Sequence, residues 1–149
     1  MFGLSYGGFL VQALIGRTDR FAAAVGEGGV ANQVSAWANS YFGVYWNRRM
    51  GLGDPLTDEG MLKLWSSSPL AHAAEITTPL LILQAEEDKV CPASDNEQLF
   101  TALRALGREV EYILYPEEHH EMKIYGRPDR RLDRMERMLA WFMRHMPPD

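Results

Sequence analysis

The sequence contains one cysteine, Cys91, in 149 residues. A lone thiol closes no intramolecular disulfide, so a disulfide-stapled scaffold is excluded. A cysteine-rich zinc site is excluded for the same reason. No apolar run approaches the roughly 18 residues that a membrane-spanning helix requires. The first residues lack the basic stretch and apolar core of a secretory leader, so a cytoplasmic location is the expectation. There is no basic excess either: 15 Lys and Arg stand against 20 Asp and Glu, for a net charge of −5. That balance, with a pI of about 5.4, argues against nucleic acid or an anionic membrane as a partner. Internal repeats and low-complexity tracts are absent as well.

What remains is a globular composition: 46% hydrophobic, 23% charged and 11% aromatic. The length fits one domain with its own core. Residues 7–15 read as a helix, and residues 20–28, "RFAAAVGEG", as a short buried strand ending in glycines. An aromatic stretch follows, with Trp37, Tyr41, Phe42, Tyr45 and Trp46, closed by Gly51, Gly53 and Pro55. Its aromatics fit either ordinary core packing or the wall of a hydrophobic pocket. A helix is expected over about 58–66, then a connecting segment, "SPLAHAAEI", with one helical turn. "TPLLILQAEED" is an apolar run of strand length bounded by Pro79, the pattern of a buried parallel strand. The next segment reads as a helix, with Ser94 and Glu97 as a capping box and Gly107 as its C-terminal stop. "EVEYILYP" alternates and stops at Pro116, as a strand does. A polar loop, "EEHHEMKIYGRP", leads to a closing helix over about 129–145, in which Trp141 and Phe142 fall on the core side. Cys91 reads as a small buried filler. Strands alternating with helices imply an α/β fold with a parallel sheet.

Gly3-Leu4-Ser5-Tyr6-Gly7 fits G-x-S-x-G, the nucleophile elbow of serine hydrolases. Such an elbow places a serine on a tight strand-to-helix turn, where small neighbours avoid clashes and the Oγ projects freely. The next backbone N–H, here that of Tyr6, faces a developing oxyanion at the positive end of a helix. Alone, the pattern also fits a glycine-rich turn before a helix. In the fold that uses it, an acid and then a histidine follow in that order. Asp88 lies directly after the apolar run "PLLILQAEE", and His119 and His120 directly after the strand "EVEYILYP". Each could be a solvated loop residue. Their joint order, at the carboxyl ends of successive parallel strands, is where such sheets build active sites.

Several collinear stretches resemble the C-terminal part of the catalytic domain of the prolyl oligopeptidase family, near its acylaminoacyl-peptidase and dipeptidyl-peptidase-like members. "GLSYGGF" is similar to the family elbow. "RTDRFAAAV", "SPL…AAEITTPLLILQAEEDKVCP", "EQLFTALRALGREVEYILYPEEHHEM" and "GRPDRRLDRMERMLAWFMRHM" resemble the segments that follow it. The resemblance implies an α/β-hydrolase fold and a serine peptidase acting on peptide or acyl-peptide bonds without a cofactor or metal. It implies Ser5 as nucleophile, Asp88 as orienting acid, His120 as general base and the Tyr6 N–H as an oxyanion donor. His120 matches because an acidic and then an apolar residue follow it, Glu121 and Met122. His119 stands where the family often has Asn, which leaves it open as a neighbour tuning the loop.

The resemblance further implies that residues 1–149 form part of an α/β-hydrolase domain, lacking the amino-terminal half of the sheet and a second oxyanion donor. On that basis the strand leading into Ser5 is reduced to Met1 and Phe2. Residues 22–25 then form an open apolar sheet edge. Candidate partners are a peptide substrate and either another copy of the chain or the missing amino-terminal part. Two other functions fit less of the sequence: a carboxylesterase or dienelactone-hydrolase-like enzyme, and a catalytically dead fragment serving as an oligomerisation module.

Overall fold

The computed structural model describes residues 1–146. A four-stranded parallel sheet in the order β1-β2-β3-β4 forms its centre. The strands are β1 (Phe2–Leu4), β2 (Ala24–Glu27), β3 (Leu80–Ala85) and β4 (Val110–Tyr115). The helices are α1 (Tyr6–Ile15), α2 (Gln33–Asn39), α3 (Gly43–Met50), α4 (Asp58–Ser67), α5 (Ala93–Ala105), α6 (Met122–Tyr125) and α7 (Pro128–His145). A 3₁₀ segment, Pro69–Glu75, links α4 to β3.

Every residue of β3 is buried, which explains why its sequence is a continuous apolar run rather than an alternating one. Successive side chains point to opposite faces of the sheet. Leu80 and Ile82 pack with Val11 and Ile15 of α1 and Leu99 and Leu103 of α5. Leu81 and Leu83 pack on the other face with Met138 and Trp141 of α7. Helices thus cover both faces, and the carboxyl ends of β1, β3 and β4 open towards one rim. Each of these buried leucines stabilises the fold by about 1.5–3 kcal/mol.

The open sheet edge is not where the sequence places it. Residues 22–25 are expected at the edge, but β2 pairs with β1 on one side and β3 on the other. The chain from Met1 is already extended. The Val25 N–H donates to the Met1 carbonyl at 2.9 Å, and the Met1 ammonium donates to the Ala23 carbonyl at 2.8 Å. The strand before Ser5 is therefore Phe2–Leu4 rather than Met1 and Phe2. The outer side of β1 faces no strand among the described residues.

The start of α5 is a second correction. Ser94 makes no cap, because the helix begins at Ala93 with Pro92 in the cap position. Proline presets the entry backbone, and Asp95 supplies the negative charge of the first turn. Gly107 does end the helix, in the left-handed region at φ +68°. The loop after β4 contains α6, a short helix that the polar sequence did not announce. Its residue Met122 is buried against β4 and α7. On α7, Trp141 is buried and Phe142 packs beside it, whereas Leu132, Met135 and Leu139 are exposed.

Candidate active site

Ser5 sits between β1 and α1 with φ 57° and ψ −119°. A non-glycine residue held there stores strain of order 1–3 kcal/mol, which the surrounding structure must enforce. Two contacts do so. The Ser5 N–H donates to the Glu27 carbonyl at 2.8 Å, and the Ser5 carbonyl accepts from the Phe9 N–H at 3.0 Å. The glycines of the motif have distinct steric duties. A Cβ at Gly3 would collide with the Gly7 carbonyl, and one at Gly8 would press on the Glu27 carbonyl. A Cβ at Gly7 would meet nothing. The close passage of strand and helix therefore requires glycine at Gly3 and at Gly8, just past the motif, and not at Gly7.

The Ser5 Oγ lies 2.8 Å from His120 Nε2. His120 Nδ1 lies 2.7 Å from Asp88 Oδ2. Asp88 Oδ1 accepts from the Val90 and Cys91 N–H groups at 2.8 and 2.7 Å. Three loops, after β1, β3 and β4, thus deliver three side chains into one hydrogen-bonded line. The His120 side chain is 12% exposed and that of Asp88 1%, so the imidazole reaches solvent while the carboxylate does not. His119 takes no part. It is exposed, and its Nδ1 accepts from the Glu121 N–H within its own turn.

The loops are tied to each other and to α7. The Glu87 N–H donates to the Glu118 carbonyl at 2.8 Å, joining the Asp88 turn to the His120 loop. The buried Glu118 carboxylate accepts from the Arg127 N–H and from Arg130, which also donates to the Pro116 carbonyl. One helical turn further on, Arg134 pairs with the buried Glu27 carboxylate, its Nε donating to both oxygens at 2.6 and 2.7 Å and its Nη2 lying 2.6 Å from Oε2. The backbone of that same Glu27 holds Ser5. Tyr6 is the first residue of α1, so its N–H has no intrahelical acceptor and is free to bind an anion beside Ser5.

A cavity of about 360 Å³ adjoins the serine, lined by Ser5, Tyr6, Phe9, Phe42, Trp46 and Cys91 among others. The Tyr6 ring stacks on Phe9 at 5.6 Å and meets Trp46 edge-on at 5.8 Å. Phe42, Tyr45 and Trp46 are exposed around it. Phe42, Tyr45 and Trp46 of the aromatic stretch therefore build a pocket wall instead of core, while Trp37 and Tyr41 lie outside the cavity. Cys91 is buried, and burial, with the Asp88 charge adding to it, pushes its thiol up to about 12. It is an uncharged part of the cavity floor. Beyond the cavity, burial pushes the Asp95 carboxyl up to about 6 against the opposing bond from the Ser35 hydroxyl.

The model of the prolyl oligopeptidase family matches residues 1–148. The chain belongs to the prolyl oligopeptidase family. Among curated relatives, the "Uncharacterized peptidase YuxL" of Bacillus subtilis is 38% identical over 97% of this chain, a match covering 22% of that protein. "Acylamino-acid-releasing enzyme 2" of Oryza sativa subsp. japonica is 29% identical over 97% of this chain and 19% of its own. The Pyrococcus horikoshii acylaminoacyl peptidase superposes with a TM-score of 0.91 at 27% identity, over 97% of this chain and 23% of that one. This member of the family spans about a fifth of the length of the curated relatives it matches. Its parallel sheet with flanking helices is the α/β-hydrolase architecture of those peptidases.

Sequence reading singled out Ser5, Tyr6, Asp88 and His120, and the structure brings all four to one rim. It missed the supporting residues Glu27, Glu118, Arg130 and Arg134. The usable signal was a carboxylate at the end of the buried segment "AAAVGEG" and another beside the histidines. Gln84, a polar residue inside "PLLILQA", was a further signal.

Proposed function

We propose that Ser5, His120 and Asp88 form the catalytic triad of a serine peptidase that cleaves peptide or acyl-peptide bonds through an acyl-enzyme. The observation that carries this is the unbroken line of hydrogen bonds, 2.8 Å from Ser5 to His120 and 2.7 Å from His120 to Asp88. With Asp88 accepting at Nδ1, the neutral imidazole carries its proton there and keeps Nε2 as the acceptor. In that tautomer Nε2 takes the Ser5 proton as the Oγ attacks the carbonyl carbon. The negative charge that develops on the carbonyl oxygen meets the Tyr6 N–H and the positive end of α1. The imidazolium, held by Asp88, then gives its proton to the leaving amine as the C–N bond breaks. Water repeats the sequence on the ester and frees Ser5. Acyl transfer of this kind requires neither metal nor organic cofactor.

The cavity beside Ser5 supports an apolar or aromatic side chain on the acyl side of the cleaved bond. Its volume falls in the range of small-ligand sites, and its aromatic rings supply contact area at little conformational cost. The test is a comparison of kcat/KM on an acyl-peptide p-nitroanilide with an apolar acyl-side residue and on a short p-nitrophenyl ester. Efficient anilide cleavage supports a peptidase. Ester hydrolysis without anilide cleavage contradicts it and points to a carboxylesterase.

A further inference from the structure

Three buried amides connect α1, the helix that follows Ser5, to the turn that carries Asp88. We infer that Gln84, Asn96 and Gln12 form a positioning relay that keeps this turn in register with the serine elbow, an inference that rests on the triad reading above. Gln84, on β3, donates from one Nε2 to the Ala85 carbonyl at 3.0 Å and to the Cys91 carbonyl at 3.1 Å. These carbonyls are the two ends of the acid turn. Between them, the Cys91 N–H is one of the two donors to Asp88 Oδ1. Cys91 is thus gripped on both sides of its backbone, by the carboxylate and by Gln84.

The relay continues inwards. Gln84 Oε1 accepts from Asn96 Nδ2 at 2.6 Å, and Asn96 Oδ1 accepts from Gln12 Nε2 at 2.7 Å. Each link dictates the next. Two carbonyls on the turn demand the Gln84 amino group, which leaves its oxygen for Asn96 and the Asn96 oxygen for Gln12. All three amides are 0% exposed. Gln12, on α1, passes over β2 at Gly26, where a Cβ would lie only 3.3 Å from its Nε2. The bare strand makes room for the crossing. The neighbouring core is leucine, isoleucine, valine and alanine, so apolar side chains would fill the same volume without the demand for satisfied hydrogen bonds. The polar chain instead fixes geometry at the one place where α1, α5 and the Asp88 turn meet.

Gln84, Asn96 and Gln12 touch no reacting atom; they act through Asp88. Gln84→Met keeps the length of the side chain and removes both donations, leaving the Cys91 carbonyl buried without its partner. The turn then relaxes and Asp88 supports the imidazolium less well. The charged and titratable groups around His120 are Asp88, in contact with it, the Cys91 thiol on the acid turn, beside Asp88 and Ser5, and His119 and Glu121 in its own loop. The substitution alters only the first pair. Labelling of Ser5 by a fluorophosphonate should slow about tenfold, the equivalent of one buried hydrogen bond. Its acidic limb should also move to lower pH, because a less supported imidazolium releases its proton more easily.

The experiment measures the labelling rate against pH for the naturally produced protein and for Ser5→Ala, Gln84→Met and Gln12→Met. Slower labelling with a down-shifted limb in Gln84→Met, and a smaller change of the same sign in Gln12→Met, supports the relay. Folded variants that label within twofold of the parent, with an unmoved limb, overturn it while leaving the triad intact. Should Gln84→Met not fold, Gln12→Met decides by the same criterion. A parent protein that takes no label at Ser5 overturns the triad reading and the relay together.

Discussion

Replacing Asp88 by Asn separates the chemistry of the site from its architecture. Asp88 Oδ1 accepts two backbone N–H groups, from Val90 and Cys91, and Oδ2 faces His120 Nδ1 at 2.7 Å. An asparagine keeps the turn only by placing its amide oxygen where Oδ1 was, since an amino group there would face two donors. The amide nitrogen must then point at His120. Nδ1 becomes an acceptor, the imidazole proton moves to Nε2, and Nε2 can no longer take the Ser5 proton. The fold keeps both backbone bonds, so the loss of stability should stay near 1 kcal/mol, the scale of one exchanged hydrogen bond. The loss in kcat should reach about 10³–10⁴, the cost of holding a triad histidine in the wrong tautomer. In free energy that is about 4–5.5 kcal/mol at the transition state. Anilide hydrolysis gives the rate, and urea unfolding followed by tryptophan fluorescence gives the stability. A folded Asp88→Asn protein with kcat within tenfold of the parent would refute the tautomer argument.

Asp95 has its carboxyl raised from 3.8 to about 6 by burial, so the folded state binds its proton more tightly than the unfolded state. Its contribution is favourable below about pH 4 and is lost as pH rises to about 6, a change of about 3 kcal/mol at most. Asp95→Asn should flatten that segment of the stability–pH curve relative to the parent and raise stability at pH 8; denaturant titrations at pH 4 and pH 8 check both. Removing one member of the buried Glu27–Arg134 pair should be costly: Arg134→Met is expected to lose about 3–5 kcal/mol by leaving Glu27 unpaired, with less loss in the double variant with Glu27→Leu. A double-mutant cycle from urea midpoints measures this, and additive losses would contradict it. Trp46→Ala should raise KM about five- to tenfold for substrates with an aromatic acyl-side residue, with kcat nearly unchanged. An unchanged KM would remove Trp46 from the pocket.

The elements that carry the site were legible because their signals are local. The apolar run of β3, the alternation of β4 and the glycines around Ser5 each follow from one segment's own chemistry. Chain order then placed Asp88 and His120 at the rim that also carries Ser5. What escaped were properties that depend on a partner elsewhere in the chain. The open edge fell on β1 instead of residues 22–25, since pairing by Met1 through Leu4 is invisible until the register is seen. Ser94 and Glu97 match a capping box, yet Pro92 starts the helix earlier and the box never forms. Phe42, Tyr45 and Trp46 fit a core as well as a pocket by composition, and only their exposure around the cavity decides. Arg134 was invisible as a support for the same reason: its partner Glu27 lies 107 residues away.

Covalent labelling reads out whether Ser5 is a nucleophile activated by His120. The naturally produced protein is treated with a fluorophosphonate, digested and read by peptide mass spectrometry. A single adduct is expected on the peptide containing Ser5, abolished in Ser5→Ala and slowed by more than about 10³-fold in His120→Ala. A folded protein that carries no adduct at Ser5, or one that labels equally fast without His120, would contradict it.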